Sequence, residues 1–113
     1  MAEQVLFTEE NKTHVLSITV SHSSSNGTYR LSVNKNIDET NAEGITWRTF
    51  VPFADGNFNC TLARGRKSQS KLDKANTVIK ENMAQYTELW NNGEYQKLAN
   101  VISGELAARK IIL

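Results

Sequence analysis

The residues with the clearest capacity for chemistry are cationic. Arg64, Arg66, Lys67, Lys71, Lys74 and Lys80 fall close together with only Asp73 between them. Guanidinium forks hold carboxylates or phosphates through two parallel N–H···O bonds, and lysines add point charge. The corner Arg64-Gly65-Arg66-Lys67-Ser68 stands directly before a helical pattern. Cations there oppose the helix macrodipole, so they have no stabilising reason to occupy that position. Anion capture is the chemistry this corner suggests; the ordinary alternative is a solvated basic helix face.

A second set lies on alternating stretches. Arg30, Arg48 and Phe50 project with Ser17, Thr19, Ser32, Asn34, Asn59 and Thr61 from what reads as the polar side of a sheet. Two guanidinium groups and a ring on a hydroxyl- and amide-rich face suit a phosphate-bearing ligand, with the ring stacking on a base. A plain solvated face is the competing reading. Arg109 is a candidate contributor from a neighbouring subunit. The expected ligand-binding set is therefore Arg30, Arg48, Phe50, Arg64, Arg66, Lys67 and Arg109, with no catalytic or metal-ligating residue and no cofactor.

Other chemistry has weak support. His14 and His22 share a strand, where eight residues separate them by about 26 Å, too far for one metal ion. Cys60 is the single cysteine and sits in an apolar strand pattern, which suits a buried small hydrophobe better than a nucleophile. Asp38 and Glu39 read as solvated loop residues. The corner holds one glycine only, so no phosphate-loop or dinucleotide fingerprint is present.

The elements that must position these groups follow from periodicity. The 113 residues carry 13 Lys and Arg against 12 Asp and Glu, which allows one domain with a modest core and gives the whole molecule no polyelectrolyte character. No segment approaches a membrane span and no export signal opens the chain, so a soluble, cytoplasmic protein is expected. Residues 1–12 read as an N-terminal arm, loosely ordered or adding an edge strand through Val5-Leu6-Phe7, and 13–113 as a single α+β domain. Leu16, Ile18 and Val20 alternate with polar residues, as do Tyr29, Leu31 and Val33, with Asn26-Gly27 marking a tight hairpin. Asp38–Gly44 reads as a connection. Ile45–Phe53 forms a third strand ending near Pro52, with Ile45, Trp47, Val51 and Phe53 inward, and Asp55-Gly56 turns into a fourth, Phe58–Arg64.

Leu72, Ala75, Ile79, Met83, Tyr86 and Trp90 then recur at helical spacing. They predict one long helix with Ser68 or Ser70 as cap and Gly93 at its end. A shorter helix over 94–103 follows, interrupted at Gly104, and Ile111-Ile112-Leu113 needs cover from the chain's own sheet or, with slight preference, from a second copy. The fold class is α+β: a four-stranded antiparallel meander followed by a long helix and one or two short C-terminal helices.

Four antiparallel strands followed by a helix resembles the Whirly and Pur families of single-stranded nucleic-acid binders. A meander with C-terminal helices is similar to small phage anti-defence proteins that sequester signalling nucleotides. The resemblance lies in element order over residues 13–103, and no family motif transfers a functional residue. It implies binding without turnover by a homo-oligomer, and the small, Asn-rich chain suits a phage product. The expected partner is a nucleotide or single-stranded nucleic acid. The alternative is a protein inhibitor or adaptor using a strand edge or the apolar tail.

Overall fold

The computed structural model describes residues 2–50 and 56–112, and of Phe50 the backbone only. The expected end of the third strand at Val51–Phe53, the Asp55 half of the following turn, the Phe50 ring and Leu113 lie outside the described residues. Five strands precede three helices: β1 Ala2–Glu9, β2 Lys12–Ser23, β3 Thr28–Thr40, β4 Thr46–Phe50, β5 Phe58–Arg64, α1 Gln69–Glu81, α2 Met83–Asn91 and α3 Tyr95–Ala108. The class is α+β with an antiparallel sheet. The residues expected as an arm are β1, which pairs along β2 from Ala2 opposite Ile18 to Glu9 opposite Lys12, with a bulge between Val5 and Phe7.

Strand β3 organises the sheet. One edge pairs with β2 over its length. The other is shared, with Thr28–Val33 facing β5 and Asn36–Thr40 facing β4. Between the two partners, the Lys35 amide donates to Asn57 Oδ1 at 2.9 Å. The order β1-β2-β3-β4 is a meander, and β5 returns to β3. Asp38 and Glu39, expected in a loop, are paired strand residues. The hairpin at Asn26-Gly27 is looser than a two-residue turn. Gly27 alone takes positive φ there, at 62°, and its amide reaches back to the Ser23 carbonyl at 2.8 Å.

The core lies between one sheet face and the helices. Leu16, Ile18, Val20, Leu31 and Val33 meet Ala75, Ile79, Tyr86, Leu98 and Ile102, all fully or nearly fully buried. Each large side chain contributes about 1.5–3 kcal/mol by leaving water. The helical stripe read from sequence is used, but over two helices, because the chain breaks at Asn82. There the side chain donates to the Val78 carbonyl, the backbone amide turns to Ile79, and φ moves to −114°. An asparagine that competes for the preceding carbonyls ends a helical run in this way. The stripe resumes with Met83 and Tyr86, and α2 stops at Asn91, with Gly93 at φ 75° just beyond its cap.

α3 runs through Gly104 to Ala108. Gly104 faces open space, so the missing side chain costs no packing and the helix continues. The tail preference for a second copy is corrected: Ile111 and Ile112 are buried in the chain's own core, turned inward at Lys110, φ 57°. The third strand also differs from expectation. Ile45 and Trp47 are exposed, and β4 pairs with the Asn36–Thr40 end of β3, away from the β5-paired half. Phe7, also exposed, is stacked at 4.0 Å on His14, with Lys35 Nζ 5.4 Å from its ring centre.

Candidate anion site

The basic corner is held in place by hydrogen bonds from three elements. The Gly65 amide donates to the Gly27 carbonyl at 2.9 Å, tying the start of the corner to the β2–β3 loop. His22 Nε2–H donates to the Gly65 carbonyl at 2.8 Å. The Tyr29 hydroxyl donates to the Arg66 carbonyl at 2.5 Å and accepts from the Ser68 amide at 2.9 Å. Ser68 then caps α1 by accepting from the Lys71 amide. A buried ring with a polar tip is suited to this work, since its body packs in the core while its hydroxyl satisfies two backbone groups.

This bracing sets Arg64 beside the loop and opposite Thr28, while Arg30 stands opposite Thr61. Both pairs belong to the sheet face away from the helices. Together with Ser25 and Asn26 they line a shallow cleft of about 550 Å³. Among the described residues neither Arg30 nor Arg64 has an ion-pair or hydrogen-bond partner for its guanidinium. The cleft lining holds two cations, three hydroxyls and an amide, and no carboxylate. Its field is therefore positive, with no described lining carboxylate to offset it.

The other sequence-predicted residues are placed differently. Arg48 stands opposite Asp38 and spans the far half of the same face. Its Nε and Nη2 donate to Asp38 at 2.6 and 2.9 Å, and Nη1 donates to Glu3 at 2.5 Å. The shared guanidinium holds both carboxyl groups below their ordinary values, chiefly through these hydrogen bonds. Beneath this clamp Asn36 is buried and donates to the buried Ser17 at 2.8 Å. Arg48 is thus committed to an internal clamp. Arg109 is likewise engaged, with Nε on Glu105 at 2.6 Å at the end of α3. Arg66 and Lys67 are exposed and extend the chain directly beyond Arg64.

Cys60 is half-buried on β5, where burial pushes its thiol up and nearby Arg30 pulls it the other way. A raised thiol is a poor nucleophile at neutral pH. Both histidines are engaged elsewhere, His14 with Glu9 at 3.0 Å and His22 with the corner. Sequence reasoning missed Tyr29 and His22 as the supports of the corner, and Ser25, Asn26 and Thr28 as part of the lining. The available signal was Thr28, which continues the alternation of Arg30 on the polar side of its strand. No family model matches the chain, and no curated protein or solved structure matches it either. No described helix is long and apolar enough to cross a membrane.

Proposed function

We propose that the chain is a non-enzymatic binding protein that captures a phosphate-bearing ligand, a nucleotide or a short single strand of nucleic acid, in the Arg30–Arg64 cleft. The observation that carries this reading is the pair of unpartnered guanidinium groups over hydroxyl and amide donors, set against Arg48 and Arg109, which already hold carboxylates. An internal carboxylate would neutralise a structural arginine, and among the described residues none reaches these two. Arg66 and Lys67 add positive charge on the approach to α1, whose first turn carries no acidic residue. The cleft lining offers no thiol, imidazole or carboxylate to serve as nucleophile or base, so capture without turnover is the chemistry it supports.

Each arginine contact to a charged oxygen is worth about 1.5–3 kcal/mol, or roughly tenfold to a hundredfold in affinity. Fluorescence anisotropy with a labelled oligothymidine, competed by mononucleotides, tests this. The Arg30→Ala, Arg64→Ala double variant loses binding by at least about a hundredfold with its thermal transition unchanged. Equal affinity in the wild type and the double variant overturns the proposal. The alternative of a protein target bound through the apolar tail loses support, since Ile111 and Ile112 are buried.

A further inference from the structure

We infer that the free edge of β5 is a seam that pairs, antiparallel, with β5 of a second copy of this chain. Each other edge in the sheet is guarded. β1 carries Glu3 and Glu9 and a bulge at Leu6. Where β2 overhangs β1, Asn76 of α1 occupies the free backbone of Val20, accepting from its amide at 2.9 Å and donating to its carbonyl at 3.0 Å. β4, described over Thr46–Phe50, carries Arg48. Short strands, charges, bulges and covering side chains are the ordinary means of blocking edge pairing.

β5 bulges once, at Leu62, and is charged only at its last residue, Arg64. From Asn57 to Ala63 the sequence holds no charged residue and no proline, and among the described residues no strand pairs with its outer edge. α3 packs on α1 and α2 and leaves a gap of about 460 Å³ beside β5. Phe58, Cys60 and Leu62 line one side of the gap and Tyr95, Ala99 and Asn100 the other, again without charge.

The occupant is a second copy because the edge is complementary to itself. A two-fold interface brings each patch against its own image. Pairing β1 with its image would set Glu3 and Glu9 among like charges, whereas β5 sets Asn59 and Thr61 against amides and hydroxyls and Phe58 and Leu62 against apolar groups. Antiparallel pairing also requires the two-fold axis to stand perpendicular to the sheet, so both copies present the same face. Thr61 lines both the seam gap and the Arg30–Arg64 cleft. The two clefts therefore flank the seam, with their β3 strands about 14 Å apart at ordinary strand spacing, and a ligand with several phosphates reaches both.

Light scattering coupled to size exclusion, run without ligand, tests the seam separately from the cleft. The wild type elutes at twice its 12.7 kDa chain mass, and Asn59→Lys with Thr61→Lys elutes at the single-chain mass with an intact far-ultraviolet spectrum. If that variant fails to fold, Gln96→Arg with Asn100→Arg, both exposed on α3, gives the same reading without touching the sheet. Amide hydrogen exchange of β5 is slow in the wild type and fast in the monomeric variant. A wild type at single-chain mass up to millimolar concentration, or a folded lysine variant that remains dimeric, overturns the inference and leaves the ligand reading standing.

Discussion

Replacing Arg48 by methionine removes the guanidinium while keeping most of the apolar stem. In the wild type one side chain bonds two carboxylates on separate strands, β1 and β3, with Arg48 and Asp38 27% exposed and Glu3 37%. Exposed pairs contribute about 0–1 kcal/mol and buried ones lose 3–5 when broken; this partly screened clamp sits between, at about 2 kcal/mol. For a domain of this size that lowers the melting temperature by about 8–12 °C. The sign with pH follows from the carboxyl groups. Glu3 and Asp38 are held below their ordinary values in the folded chain, so their contribution is complete above the unfolded carboxylate range near pH 4 and is lost as pH falls through the folded values. The deficit of the variant is therefore full at pH 7 and shrinks below pH 4, which urea melts at pH 7 and pH 3 resolve. An unchanged midpoint at pH 7, or an equal deficit at pH 3, refutes the clamp. Ligand affinity stays at the wild-type level in this variant, because its guanidinium serves the fold.

Tyr29→Phe deletes the hydroxyl that satisfies the Arg66 carbonyl and the Ser68 amide, costs about 1–3 kcal/mol in a urea melt, and speeds amide exchange at Ser68. Ile112→Ala empties a buried core position and costs about 2–4 kcal/mol while leaving the oligomeric mass unchanged; a loss of mass instead would place the tail at an interface.

Periodicity made the helical stripe and the first two long strands legible, because buried faces impose spacings of about 3.6 and 2 on apolar residues. It could not show that the stripe is carried by two helices, since Asn82 breaks the backbone through a side-chain hydrogen bond while Met83 and Tyr86 keep their phase. Nor could it show that β3 serves two partners, because pairing between distant segments leaves no local mark. Arg30 and Arg64 were both legible as cations; that they share a cleft while Arg48 lies on the far half of the face, held by Asp38 and by Glu3 forty-five positions away, depends on which distant strands pair. The chemistry of an arginine is set by whether a carboxylate reaches it, and only the fold decides that.

The most direct measurement of the central claim is the salt dependence of oligothymidine binding. Cation–phosphate contacts release counterions, and for a single strand the logarithmic slope is about −0.7 for each phosphate neutralised. Contacts from Arg30 and Arg64 give a slope of about −1.4 per chain, and the Arg30→Ala, Arg64→Ala variant removes it. Affinity independent of salt, or an unchanged slope in the double variant, contradicts the account.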